Sequence, residues 1–309
     1  MTNIKIATGV ELHYQDEGER CAPVIILIMG LGAQMTVWPD ELYFGLVNKG
    51  FRVIRFDNRD CGLSSHLDSL GSPNVIRTIL SKKLPIHAHI PYTLDDMASD
   101  VIGLMKSLKI KRAHLVGASM GGMIAQIVAA KHRKKVVSLT SIMSTSAYPQ
   151  FTFSNLKVML QLAKARPKPN CRQSAVQYNI KLNKLIGSPA YPQDEMTLHQ
   201  LAKQNIERAH SPEGFKRQLT AVIAGRFRQH ALSQIKAPTL VIHGTDDPIF
   251  PITSGLQTAT RIRKSKLKLV NGMGHDFPPV LMQKIAKWIA KHAFKAEQKR
   301  YKKSLHKVI

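Results

Sequence analysis

The sequence predicts an α/β fold, a mostly parallel sheet with helices on both faces. Short apolar stretches rich in β-branched residues, the unbroken run Val24–Met29 and the Ser- and Thr-containing Val136–Met143 among them, recur along the chain. Strands buried on both faces have this composition. Between the runs lie stretches with apolar residues three and four apart, so strand alternates with helix. Strands joined by helices run parallel, because each crossover returns the chain to the same edge of the sheet. From about residue 149 to 236 strand candidates vanish and only helical spacing remains, which predicts an all-helical insertion.

The elements follow in order. Val24–Met29 stops at Gly30-Leu31-Gly32. Pro39 and Asp40 open a helix with Leu42, Leu46 and Val47 on one face, and Gly50 closes it. Phe51–Asp57 is the next strand. Residues 66–92 carry Gly, Pro and Ser and read as loop with room for one helical turn. Thr93 and Asp96 have the spacing of a capping box, ahead of a helix carrying Met97, Val101, Leu104, Met105 and Leu108. A strand at His114–Gly117 leads to a helix over Met120–His132. In the insertion, the pairs Leu156/Leu160, Val176/Ile180, Leu198/Leu201 and Leu219/Val222 mark four helices. Strands return at Thr239–His243 and Lys266–Val270, and Leu281, Ile285, Trp288 and Ile289 line the last helix. The chain therefore divides into a core in two parts, 1–148 and 236–295, a helical insertion at 149–235 and a basic tail at 296–309.

Composition narrows the function classes. With 309 residues, 44% hydrophobic and 21% charged, the chain can bury a substantial core. Cys21, Cys61 and Cys171 are odd in number and widely spaced, which excludes a disulfide framework or a zinc knuckle and fits a reducing compartment. No basic-then-apolar leader opens the chain and no apolar run approaches the length of a membrane span. A cytoplasmic location is the expectation. The phosphate-loop and H-E-x-x-H signatures are absent, and Gly30-x-Gly32-x-x-Met35 lacks the third small residue of a dinucleotide fingerprint. His87 and His89 stand two apart with no third ligand nearby, so neither a metal nor a cofactor is expected.

The chemistry concentrates in three segments. Gly117-Ala-Ser119-Met-Gly121 matches G-x-S-x-G, with a strand before it and a helix after it. That is the setting of a nucleophile elbow, where the chain doubles back and small neighbours are needed. A hydroxyl attacks only if a base takes its proton, and the base must be oriented by a third group. Asp246-Asp247-Pro248 leaves one later strand and Gly274-His275 follows the last, in the order Ser, acid, His. His275 is the expected base; either Asp246 or Asp247 could orient it. An oxyanion would be met by backbone N–H groups of Met120 and of the turn after the first buried strand, at Leu31. On the plainer reading Ser119 is a helix cap, Asp247-Pro248 a turn and Gly274-His275 a loop.

Over about residues 8–295 the sequence resembles the α/β-hydrolase superfamily. The resemblance rests on Met29-Gly-Leu-Gly32, Trp38-Pro-Asp40, Asp57-Asn-Arg-Asp-Cys-Gly-Leu-Ser64, Gly117-Ala-Ser-Met-Gly-Gly122, His243-Gly-Thr-Asp-Asp-Pro248 and Gly274-His275. Within it, the chain is similar to the lidded serine esterases related to aclacinomycin methylesterase. The resemblance implies an eight-stranded, mostly parallel sheet and a helical cap at 149–235 over the active site. It places the acid of a Ser119–His275–Asp247 triad at Asp247. It also departs from the family at Met29, where a His usually precedes the glycine; since the donor there is main-chain, the oxyanion site is expected to survive. The implied activity is hydrolysis of small to medium carboxylic esters through an acyl-enzyme. Acyl transfer or C–C bond hydrolysis on the same three residues is the alternative.

The 45 Lys and Arg outnumber the 20 Asp and Glu, for a formal charge of +25. Residues 149–235 hold 13 basic against 4 acidic side chains, and 291–309 hold seven against one. A solvated basic surface is the plain reading. The charge also admits steering of anionic substrates and a weak, salt-sensitive contact with an anionic membrane surface. No specific nucleic-acid partner is expected, and the oligomeric state is left open.

Overall fold

The computed structural model describes residues 2–146, 156–163, 166–168, 170–225 and 229–305. Its strands are β1 (Thr2–Lys5), β2 (Glu11–Glu17), β3 (Val24–Ile28), β4 (Arg52–Phe56), β5 (Ala113–Ala118), β6 (Val136–Ile142), β7 (Thr239–Gly244) and β8 (Ser265–Val270). The helices are α1 (Asp40–Val47), α2 (Val75–Leu80), α3 (Leu94–Ser107), α4 (Met120–Lys131), α5 (Leu156–Ala163), α6 (Arg172–Ile186), α7 (Glu195–Arg208), α8 (Pro212–Ala224), α9 (Gln229–Ser233), α10 (Ile252–Arg261) and α11 (Pro279–Leu305).

The eight strands form one sheet in the order β1-β2-β4-β3-β5-β6-β7-β8. β1–β2 and β2–β4 pair antiparallel; every other neighbouring pair is parallel. β3 shows why its run is apolar throughout. Ile25 and Leu27 face a core built with α1 and α11, whereas Ile26 and Ile28 face the opposite core with α3 and α4. All four are fully buried, each stabilising the fold by about 1.5–3 kcal/mol. Thr93 caps α3 in a complete capping box with Asp96.

Several segments differ from the residue pattern: α2 fills Val75–Leu80 within the stretch read mainly as loop, and α10 has no counterpart in the reading. The edge hairpin β1–β2 had no sequence signature, because β1 is largely exposed and carries no apolar alternation. The basic stretch after residue 295 is not a separate tail as far as Leu305: it continues α11, with Ala290, Ala293 and Ala296 buried along one side and Lys and Glu outside. These are strong helix formers, so the helix propagates past the core. Residues 306–309 lie outside the described residues, as do 149–155 at the start of the expected cap.

Helices α5–α9 occupy the connection between β6 and β7. Ala175, Val176 and Ile180 of α6 pack on Ala202 and Ile206 of α7 in a small core of their own. Polar contacts join these helices to the sheet-bearing part. Arg217 of α8, 1% exposed, makes two 2.8 Å bonds to Asp60 and a third to Asp68. Burial is the largest single influence on the Asp60 carboxyl and would raise it, but the Arg217 hydrogen bonds and charge together with the Leu67 N–H outweigh it and hold the carboxyl below its ordinary range. Arg217→Met leaves Asp60 buried and unpaired, so it is expected to cost about 3–5 kcal/mol. Urea unfolding measures this, and adding Asp60→Asn should recover part of the loss.

Candidate active site

The C-terminal ends of parallel strands lie at one edge of a sheet, where loops from several strands meet. Here β3, β5, β7 and β8 deliver Gly30–Gly32, Ser119, Asp247 and His275 to that edge.

Ser119 sits between β5 and α4 with φ 54° and ψ −120°, a backbone conformation costly for any residue with a Cβ. Its neighbours explain how the chain turns so tightly. A Cβ on Gly117 would lie 2.2 Å from the Gly121 carbonyl oxygen, and one on Gly121 would lie 1.9 Å from that of Ile28. Neither position accepts any other residue without moving backbone. The Ser119 main chain is held by its N–H on the Ile142 carbonyl at 3.0 Å and by the Ser144 hydroxyl, which donates to the Ser119 carbonyl at 2.7 Å.

His275 Nε2 stands 3.0 Å from Ser119 Oγ, and His275 Nδ1 stands 2.7 Å from Asp247 Oδ2. The other carboxylate oxygen, Oδ1, accepts the N–H groups of Ile249 and Phe250, both at 2.8 Å. A carboxylate only accepts, so Nδ1 carries the imidazole proton and Nε2 presents its lone pair to the serine hydroxyl. His275 is 8% exposed and Asp247 7%. The ring is steadied by the edge of Phe250, and the His275 N–H donates to the Ile186 carbonyl of α6 at 2.7 Å.

The alternative acid, Asp246, points elsewhere: its side chain accepts the Thr245 hydroxyl at the exposed surface. Asp276, although adjacent to His275 in the chain, accepts the Ser188 hydroxyl. Burial pushes its carboxyl above the ordinary range.

The turn after β3 packs directly on the serine. A Cβ on Gly30 would lie 3.2 Å from Ser119 Cβ. Ala33 N–H donates to the Gly30 carbonyl, leaving Leu31 at the second position of that turn. Met120 is the first residue of α4, where N–H groups have no intrahelical partner. The Gly32 N–H donates to Gln218 Oε1 at 2.8 Å, and Gln218 Nε2 in turn donates to the Arg59 carbonyl at 2.7 Å. Helix α8 is thereby tied to this turn.

Ser144, His243, Ile186 and Gln218 escaped the residue reading; Ser144, Ile186 and Gln218 act through hydrogen bonds to residues 25 or more positions away in the chain. His243 alone had a signal, as the first residue of His243-Gly-Thr-Asp-Asp247. Its Nε2 donates to the Phe250 carbonyl at 2.9 Å and lies 3.7 Å from Asp247 Oδ2. Burial lowers its pKa, so it stands as a neutral support behind the acid. Cys61 is buried, and burial pushes its thiol far up, consistent with packing. Among the described residues no three His, Cys, Asp or Glu side chains gather as metal ligands would. No helix among them is long and apolar enough to cross a membrane. A shallow groove of about 400 Å³ lies apart from Ser119, on the outer side of α11, lined by Lys49, Lys287, Lys291, Lys295 and Phe294.

Comparison with known proteins places the chain in a family. Residues 23–279 match the family model of the alpha/beta hydrolase fold. Rhodomycin D methylesterase of Streptomyces peucetius is 25% identical over 304 residues, spanning 92% of this chain and 95% of the relative. A 2-hydroxy-6-oxononadienedioate/2-hydroxy-6-oxononatrienedioate hydrolase of Burkholderia vietnamiensis is 27% identical, spanning 88% of this chain and 87% of its own. Among solved structures, the enol-lactonase of Burkholderia xenovorans superposes with a TM-score of 0.71 at 23% identity, covering 96% of this chain and 100% of the other. At that identity the likeness speaks for the fold alone. With five-sixths of its length inside the family model, the chain belongs to the α/β hydrolase fold family.

Proposed function

We infer that this enzyme hydrolyses carboxylic esters of small to medium molecules, with Ser119 as nucleophile, His275 as general base and then acid, and Asp247 as the group that orients His275. The observation that carries the reading is the unbroken line from Asp247 Oδ2 through the imidazole to Ser119 Oγ, at 2.7 and 3.0 Å. Ser119 Oγ attacks the ester carbonyl while its proton passes to His275 Nε2. The resulting oxyanion is met by the Leu31 and Met120 N–H groups, each worth about 3–4 kcal/mol in the transition state. Collapse expels the alcohol, which takes the proton from His275. Water then repeats the sequence on the acyl-enzyme, and Ser119 is released.

Helices α5–α8 act as the cap of this site. Their contacts at Gly32 and at the His275 N–H support that role. The methylesterase relative favours ester cleavage. The Burkholderia vietnamiensis relative keeps C–C hydrolysis as the second reading, since the same three residues serve it. The basic groove on α11 is where a contact with anionic lipid would form. A fluorophosphonate probe should label Ser119 stoichiometrically, and a panel of p-nitrophenyl esters should be hydrolysed. An unlabelled, folded protein that leaves every ester intact overturns the reading.

A further inference from the structure

Arginines drawn into the interior of this protein come with carboxylates. Arg52 binds Asp16, Arg55 binds Asp40, Arg59 binds Asp100, Arg208 binds Asp57 and Arg217 binds Asp60. Arg166 is the exception. All 20 Asp and Glu of the chain fall within the described residues, and none of them pairs with it. Its Nε is sealed from solvent and, among the described residues, has no hydrogen-bond partner. Its guanidinium lies over the Phe215 ring, 3.8 Å from the centroid, with Tyr178 on a further side at 5.6 Å. Burial lowers its pKa, whereas the paired Arg52, Arg59 and Arg217 are raised. A partly buried cation whose Nε is sealed and which has no counter-charge is costly, and stacking on an aromatic face offsets only part of the cost.

The position of this charge gives it a use. Arg166 borders a cavity of about 40 Å³ together with Gly32, Cys61, Asn179 and His210. The acid in that wall, Asp60, is already held by Arg217 through both of its oxygens. A Cβ on Gly32 would lie 3.2 Å from an Arg166 terminal nitrogen, while Gly30, two residues earlier, packs on Ser119. The guanidinium, which has Tyr178 but no carboxylate beside it, therefore borders the turn that carries Leu31, and the first residue of that turn packs on the nucleophile.

We propose that Arg166 receives a carboxylate of the substrate, so that the ester cleaved at Ser119 is a half-ester bearing a free carboxylate at its other end. With one face on Phe215, the guanidinium offers its in-plane N–H fork, which matches a planar carboxylate in two parallel bonds. A cavity this small takes the carboxylate group and not a bulky anion. The inference rests on the ester-hydrolase reading and names its substrate class.

The test compares monomethyl with dimethyl esters of the dicarboxylic acids from glutarate to suberate, which differ in charge at nearly equal size. The wild-type enzyme should prefer the monomethyl ester at one chain length by at least about 10-fold in kcat/KM. Arg166→Met should abolish that preference while leaving the dimethyl ester within about 3-fold, and Arg166→Lys should keep part of it. Equal use of charged and neutral esters by the wild type at every length overturns the carboxylate site and leaves the esterase standing. The carboxylate site also falls if Arg166→Met, folded by circular dichroism, loses both substrates equally. If no ester is hydrolysed at all, the esterase reading falls instead. Calorimetric titration of the wild type and Arg166→Met with the free dicarboxylates then decides the site: saturable binding lost in the variant supports it, and no binding overturns it.

Discussion

Ser119→Ala is expected to lower kcat/KM for ester hydrolysis roughly 10⁶-fold, leaving only what the oxyanion donors and substrate binding supply, roughly 10³–10⁴ over water. The loss is large because the attacking oxygen itself is removed. Ser144 is close, but its Oγ is spent on the Ser119 carbonyl. The variant should fold, since alanine occupies the same backbone with a smaller side chain. Ser119→Gly separates chemistry from strain. It is equally inactive, but glycine adopts φ 54° without penalty. After allowance for its greater freedom when unfolded, it should be about 1 kcal/mol more stable than Ser119→Ala. Ester turnover and chemical unfolding of the two variants check both statements. Retained activity in either one removes Ser119 from the mechanism.

The second largest effect is expected at Asp247, and it is specific to that carboxylate. Asp247→Asn should lower kcat about 10⁴-fold. The Ile249 and Phe250 N–H groups bind Oδ1, so an asparagine keeps its oxygen there and turns its NH2 toward His275 Nδ1. That ring nitrogen must then accept, Nε2 must carry the proton, and the imidazole can no longer take one from Ser119. Asp246→Asn changes nothing on this line, because Asp246 faces Thr245. It should retain activity within about 3-fold. Steady-state kinetics of the pair therefore identifies the acid; an inactive Asp246→Asn beside an active Asp247→Asn would reverse the assignment.

How much of this was legible in the residues differs between the fold and the site. The strands buried on both faces announced themselves, since β3, β5, β6 and β7 have no solvent-exposed face when α1 and α11 cover one side and α3 and α4 the other. The capping box of α3 could be read at single-residue precision, because its two partners are three apart in the chain. The edge strand β1 and its neighbour β2 could not, because much of their surface meets solvent and the alternation blurs. In the site, Ser119 stood out through glycines that only a tight turn requires. The two adjacent carboxylates Asp246 and Asp247 have equal claims by composition. Only the direction in which each leaves the loop after β7 separates them.

The chain by itself determined whatever depends on near neighbours: buried strands, helix faces, the elbow at Ser119, and the order in which serine, acid and histidine arrive. Local sterics and hydrophobic period act over a few residues, so they can be read without coordinates. The tertiary structure decided the contacts between residues far apart in the chain. It turned Asp247 inward, set Gln218 against the Gly32 turn 186 residues away, and surrounded Arg166 with aromatic rings and no carboxylate. Pairing of charges and hydrogen-bonding groups is a property of three-dimensional neighbourhood. No spacing along the chain encodes that Arg166 is partly buried beside aromatic rings and away from every carboxylate side chain.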